Sequence, residues 1–338
     1  MSALRVRRMP LAGILVHAAN EHAALGALGY GASGGRMASL AKVDARVLLG
    51  GAEMVDAWHA GEQVDSGITG AVRWRCDGHW MTGAIDIDEA AAGTKGLATL
   101  IRQAYLDLFD ALSLTGCSQL LRVWNYMPRI NAEDGGSLER YRQFNAGRRE
   151  AFEAAGRGVL EGAPAASMLG TQHGQLCVRF LAGRHAPLPI ENPRQVSAYH
   201  YPPDYGPSPP IFSRAALADL GGEKVALFIS GTASIVGHES LHVDDVREQV
   251  CETLRNLRAV IESANARTTA RFDLAQLDCV VYVRNADQAQ QVRQVLENAL
   301  GTASHTMRHA IYLEADICRR DLLVEIEAHA IASGALRD

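Results

Sequence analysis

Asp321-Leu-Leu-Val-Glu325-Ile-Glu327-Ala-His329 is the stretch on which the reading of this chain turns. Alternate residues of a strand share a face. Leu322, Val324, Ile326 and Ala328 therefore fall on one side, and Leu323, Glu325, Glu327 and His329 on the other. The first side is apolar, as the inner face of a sheet requires. The second carries two carboxylates and an imidazole, and the chain enters it through Cys318 in Asp316-Ile-Cys-Arg-Arg320. Such a face is either a solvated edge or a place where protons are transferred, and the strand alone does not separate the two.

Working back from that strand, Val225-Ala-Leu-Phe-Ile229 reads as a buried strand, continued by Ser230 to Val236 as a second short strand or bend. Asp245 with Glu248 three residues on is a capping box, and Val246, Val250, Leu254, Leu257 and Ile261 repeat at helical spacing behind it. Leu277 to Val283 reads as a strand, Gln288 to Leu300 as a helix closed by Gly301, and His309 to Leu313 and Leu322 to Ala330 as strands. The order is that of an α+β layer, with helices on one face of a sheet. An earlier segment repeats it: strand His79 to Ile87, helix Thr94 to Ser113, strand Gln119 to Tyr126, helix Leu138 to Ala155, strand Gln175 to Leu181. Between the two runs, Pro187 to Pro210 holds most of the chain's prolines and is no regular helix. The expected organisation is two related modules, residues 1–190 and 221–338, joined by a Pro-rich connection at 191–220.

Length and composition narrow the function. The 338 residues suffice for two cores, and a hydrophobic content of 48% with 21% charged residues is that of a globular protein. A net charge of −5 argues against a nucleic-acid partner, which needs a basic surface. Arg5, Arg7 and Arg8 precede a short apolar run from Leu11 to Ala18, but polar residues return at Asn20, Glu21 and His22. No run reaches the ~18–20 apolar residues of a membrane span. The expectation is a cytoplasmic protein without a membrane partner. Six cysteines stand far apart with no C-x-x-C pair. His238/His242 and His305/His309 lack a third ligand at a motif spacing, so no metal is expected. Gly29-Tyr-Gly-Ala-Ser-Gly34 has the letters of a dinucleotide loop without the strand and helix that give it meaning. No G-x-S-x-G elbow is present.

Two segments are rich in guanidinium and aromatic groups. They are Trp124 to Asn131 with Leu138 to Phe152, and Tyr199 to Tyr205 with Phe212 and Arg214. Groups of this kind suit an anionic, ring-shaped ligand; the plain alternative is an exposed, charged helix face.

Taken in order, Trp124-Asn-Tyr-x-Pro-x-Ile-Asn131, Tyr141-x-x-Phe-x-x-Gly-Arg148, Ser230-Gly-Thr-Ala-Ser-Ile235, Gly237-His238 and Asp316-Ile-Cys-Arg-x-Asp-Leu-Leu-Val-Glu-Ile-Glu327 resemble the chorismatase family. The resemblance runs from about Leu11 to the end, and the C-terminal half is also similar to the RidA (YjgF-like) superfamily. It implies two RidA-like modules, each a mixed sheet with helices packed on one face. It also implies chorismate as substrate and no cofactor. Family members either hydrolyse the enolpyruvyl ether to a dihydrodiol acid or release pyruvate and aromatise the ring.

The resemblance places the general acid at Glu325, and Gly231 and Cys318 are the residues of the hydroxybenzoate-forming branch. That branch implies 3-hydroxybenzoate and pyruvate as products, with 4-hydroxybenzoate as a candidate second product and a role in pigment or quinone supply. Arg148 follows from the Gly-Arg match, while Arg214, Tyr201 and Tyr205 are assigned to the substrate on their chemistry. The other readings are a hydrolytic chorismatase, a RidA-like enamine deaminase and a small-ligand-binding module. RidA-type proteins are commonly trimers, but fused modules leave the assembly open between monomer and trimer.

Overall fold

A computed structural model describes residues 3–11, 24–31, 40–50, 53–61, 63–91, 93, 96–133, 138–159 and 163–337. Among the described residues the first strands are β1 (Arg5–Pro10), β2 (Ala24–Tyr30), β3 (Leu40–Val43), β4 (Val47–Leu49) and β5 (Met54–His59). Next come β6 (Asp65–Thr69), β7 (Val72–Cys76), β8 (Trp80–Ile87), helix α1 (Leu97–Thr115), β9 (Gln119–Pro128), helix α2 (Arg140–Ala154), β10 (Ala165–Thr171) and β11 (Leu176–Gly183). The C-terminal half opens with β12 (Leu188–Ile190), β13 (Ala215–Gly221), β14 (Lys224–Ala233) and a small hairpin, β15 (Ile235–Val236) with β16 (Glu239–Ser240). It continues through α3 (Val246–Ala266), β17 (Asp278–Val283), α4 (Ala289–Leu300), the one-turn α5 (His305–His309), β18 (Ile311–Glu314), β19 (Asp316–Ile317) and β20 (Val324–Ser333).

Two sheets of seven strands dominate, ordered β6-β7-β8-β11-β9-β10-β19 and β12-β13-β14-β20-β17-β18-β4. Position by position the second order repeats the first. Each sheet has one parallel pair, β9 with β10 and β17 with β18, flanked by antiparallel neighbours. The α+β class with two related modules, each a mixed sheet, is thus borne out. In each sheet one of the two outermost strands is lent by the other half of the chain: β19 pairs with β10, and β4 pairs with β18.

Among the described residues, helices cover only one face of each sheet. Ile101, Tyr105, Leu108 and Leu112 of α1 and Phe144 and Phe152 of α2 pack on Ile85, Val123 and Val178. Val250, Leu254, Leu257 and Ile261 of α3 pack on Leu227, Ile229, Val281 and Ile326. Asp245 caps α3 as its spacing predicts, accepting from the backbone N–H groups of Arg247 and Glu248. The helix-free faces share one central core with the four-stranded sheet β1-β5-β2-β3. Arg8 docks that small sheet by pairing with Asp56 and donating to the carbonyls of Cys279 and His309.

Several expectations shift. The alternation in the last strand holds from Val324 onward, but Leu322 and Leu323 precede β20; Leu322 sits in the central core and Leu323 under the helices. Ser230 to Ala233 complete β14. His305 and His309 stack at 4.2 Å on α5 instead of entering a strand. The apolar run beyond Leu11 and the last glycine of the Gly29–Gly34 run lie outside the described residues. Among the described residues no helix is long and apolar enough to cross a membrane.

Candidate active site

The cleft forms where the two halves meet along β10. Four of its lining residues, Tyr141, Phe144, Asn145 and Arg148, come from α2 at the i, i+3, i+4, i+7 spacing of one helix face. Gly147 lets that helix approach: a methyl group there would lie 2.1 Å from the Ala98 carbonyl oxygen of α1. The close approach sets the Arg148 guanidinium over Tyr105 at 5.1 Å and Phe152 at 5.4 Å. Arg148 is buried, yet its Nε and Nη2 have no hydrogen-bond partner within the protein. A buried guanidinium with idle donors costs free energy until an anion meets it.

The Trp124-Asn-Tyr motif acts behind this wall. Asn125 accepts from the Tyr105 hydroxyl at 2.7 Å and donates to the Ser167 carbonyl at 2.9 Å, fixing the ring on which Arg148 lies. The Tyr126 and Tyr282 hydroxyls meet at 2.7 Å and tie the two sheets together. At the motif's end Asn131 donates to the Cys318 carbonyl.

The opposite wall is Glu325 and Gly231. The β14–β20 ladder slips between Ile229 and Thr232, which pair with Ala328 and Ile326, so Ser230 and Gly231 together oppose Glu327. This bulge re-aims the local backbone. A Cβ on Gly231 would lie 1.8 Å from Glu325 Oε1, so only glycine leaves the carboxyl where it stands. Ser230 pins the halves together, its hydroxyl accepting from the Ala166 N–H and donating to the Ser213 carbonyl.

Glu325, Glu327 and His329 are all buried, so the acidic face is not a solvated edge. Burial, reinforced by the neighbouring Glu327, pushes the Glu325 carboxyl up to about 8, against the pull of Arg122, Arg214 and Arg284. Glu327 accepts from Arg122 at 2.6 Å and from the Ser167 hydroxyl at 2.7 Å. The two carboxylates therefore differ in kind: one is paired with a cation, the other is an acid that keeps its proton. Burial, then the Glu325 charge, pushes the Cys318 thiol up to about 12, so it faces the cleft as S–H. Arg284 holds the loop that presents it, donating to Asp316 and to the carbonyls of Ile317, Arg319 and Leu322.

Arg148, Gly231, Cys318 and Glu325 thus line one cleft. Arg214, Tyr201 and Tyr205 do not line it but stand beside it. Arg214 donates to the Tyr201 hydroxyl at 2.8 Å and the Val196 carbonyl at 2.7 Å, and the two tyrosine rings lie 5.3 Å apart with Arg319 over both. The sequence reading named neither Ser167 nor Met168, and gave Asn145 and Phe212 only as parts of the two guanidinium- and aromatic-rich segments. Asn145 was within reach from helical spacing; Ser167 was not, because β10 carries no alternation. No cluster of three or more His, Cys, Asp or Glu able to hold a metal ion occurs among the described residues.

Residues 56–182 match the family described as chorismatase FkbO/Hyg5-like, N-terminal, and residues 220–332 match endoribonuclease L-PSP. A chorismatase from Streptomyces rapamycinicus is 37% identical over 279 residues, which is 80% of each chain. This chain belongs to the chorismatase family. A 3-hydroxybenzoate synthase from Streptomyces hygroscopicus is 39% identical over 237 residues, 67% of each chain. A crystal structure of a chorismatase superposes with a TM-score of 0.84 at 29% identity, covering 97% of this chain and 98% of that one. The chorismatase likeness spans both halves, while the L-PSP match covers the half that supplies Gly231 and Glu325.

Proposed function

We propose that this chorismatase-family chain converts chorismate to 3-hydroxybenzoate and pyruvate, with Glu325 as general acid. The observation that carries the reading is a buried carboxyl, pushed up to about 8, in one cleft with a buried guanidinium whose donors are idle. Chorismate brings what each lacks. Its enolpyruvyl ether accepts a proton on the terminal methylene carbon, and its carboxylates satisfy Arg148, with Arg214 behind the Tyr201 wall as the second cation.

Glu325 gives its proton to the methylene carbon, leaving an oxocarbenium ion. The neighbouring ring hydroxyl oxygen attacks the ether-bearing ring carbon, and the ring C–O bond breaks. Its electron pair stays with the departing oxygen, which becomes the keto oxygen of pyruvate. The hydroxyl proton returns to the Glu325 carboxylate. The resulting epoxide opens, loses a ring proton and gains one on oxygen, giving the aromatic acid with no net water. Cys318, a thiol lining the same cleft, serves that last proton exchange in this reading. The absence of a side chain at Gly231, beside Glu325, supports a ring seated against the acid, where its own hydroxyl acts in place of water.

The cleft is narrow, about 40 Å³, against the several hundred usual for small-ligand sites. Substrate therefore has to part its walls, and the Pro-rich segment carrying Tyr201, Tyr205 and Phe212 is the element to move. Incubation with chorismate followed by chromatography and mass analysis tests the reading. Equal amounts of 3-hydroxybenzoate and pyruvate are expected, with any 4-hydroxybenzoate as a minor companion. A dihydrodiol acid in place of the aromatic acid would assign the hydrolytic reaction instead.

A further inference from the structure

Away from the cleft, two free thiols meet inside the N-terminal half. Cys76 and Cys117 are separated by 41 positions in sequence, yet their sulfurs lie 3.6 Å apart. Cys76 is the last residue of β7 and pairs with Met81 of β8, while Cys117 stands between α1 and β9. Two local features bring them face to face. Gly116, with a φ of 71°, ends α1 in the left-handed conformation and turns the chain into β9. Asp77 pins the β7–β8 turn, accepting from the N–H groups of His79 and Trp80.

The two sulfurs are not equivalent. The hydrogen bond between them lowers the pKa of the Cys76 thiol against the effect of burial, and the Gly78 N–H, 3.2 Å from its sulfur, lowers it further. The same bond, and then burial, raises Cys117. One thiol is therefore readied as a nucleophile, with a second held in contact to resolve what it forms. Cys76 is 5% exposed, and Gly78 two residues on borders open space, where a Cβ would meet nothing within 4 Å. Neither sulfur lines the cleft that Cys318 faces.

We propose that Cys76 and Cys117 are a site of reversible oxidation, closing into an intramolecular disulfide when a hydroperoxide reaches Cys76. The Cys76 thiolate attacks one oxygen of hydrogen peroxide, and the O–O bond breaks. Cys76 becomes a sulfenic acid, and the departing hydroxide takes a proton to become water. The Cys117 sulfur then attacks the Cys76 sulfur, losing its own proton, and the S–O bond breaks to release a second water. Two thiols are oxidised and one peroxide is reduced. Closure brings the sulfurs to about 2 Å, a short movement for two residues that each stand at the end of an element. The inference does not rest on the reaction proposed above.

The test is brief treatment of the full chain with hydrogen peroxide, followed by an acid quench, alkylation, digestion and mass analysis. A peptide pair linked through Cys76 and Cys117 is expected, and dithiothreitol should return both residues as free thiols. The oxidised chain should melt at a higher temperature than the reduced one, because the bond closes a long loop. Cys117→Ser should show no such rise and should stop at a Cys76 sulfenic acid that dimedone traps. Recovery of Cys76 and Cys117 as free thiols after peroxide, whatever the fate of the other cysteines, would overturn the proposal. So would a linkage that forms only in chain unfolded by urea.

Discussion

Glu325 is the proposed acid because its surroundings favour the neutral form. Buried beside Glu327 and pushed up to about 8, it holds at neutral pH a proton that an ordinary carboxyl has already lost. Two consequences follow with definite sign. Turnover should fall as pH rises through about 8, read as a single acid limb in kcat/KM. The folded state also keeps a proton that the unfolded chain releases from 4.5 upward. The stability tied to that proton is complete below 4.5 and lost as pH climbs toward 8. Glu325→Gln does not titrate. Relative to the parent it should gain stability between pH 5 and pH 8, on the order of 2 kcal/mol, seen as a pH-dependent difference in Tm; a pH-independent difference would contradict the burial argument. Gly231→Ala puts a methyl where Glu325 Oε1 lies, 1.8 Å away, so the flexible carboxylate must swing aside. The expected outcome is a lower kcat with product diverted toward the dihydrodiol acid. An unchanged rate and product would mean the carboxyl does not act from the position seen.

Among the elements, α2 and the bulged β14 turn a fold into a site. Gly147 of α2 has the Ala98 carbonyl 2.1 Å from where a methyl would sit, and backbone is not easily displaced. Gly147→Ala should therefore push the two helices apart and cost about 1–3 kcal/mol of stability. It should also raise KM for a carboxylate substrate more than it lowers kcat, because it moves Arg148 and not Glu325. Chemical denaturation and steady-state kinetics check both parts. Helices and strands with clear signals were legible: α1 and the run from Val324 from apolar spacing, and α3 and α4 from spacing together with the Asp245 cap and Gly301. What stayed hidden has a common cause. Ala165-Ala-Ser-Met-Leu-Gly-Thr171 is buried at every position, so β10 shows no alternation. The sheet at β1, β2, β3 and β5 has strands of 4–7 residues whose pairing crosses the sequence. The last motif gave Glu325 only through resemblance; strand periodicity put Glu327 on the same face and could not rank them. The ranking came from tertiary contacts, since Arg122 and Ser167 satisfy Glu327 from the other half of the chain.

On the scale of the molecule, the two modules are interleaved. Each sheet borrows one of its two edge strands from the other half, and Ser230, Tyr126–Tyr282 and Arg122–Glu327 bond across the junction. A single cut in the Pro-rich connection near Tyr205 should therefore leave both fragments bound together through gel filtration; separation of the fragments would show that the borrowed strands contribute little. The division of the chain into 1–190, 191–220 and 221–338 is a proposal that the same cleavage experiment addresses, by where proteases first enter. The cleft lies at this junction, with the guanidinium from one half and the acid from the other, so neither half carries the site alone. Turnover of chorismate by the parent and by Glu325→Gln, measured side by side as pyruvate released, tests the central claim most directly. The account predicts steady release by the parent and a folded Gln variant slower by about a hundredfold or more. A Gln variant that releases pyruvate at the parent's rate would contradict it.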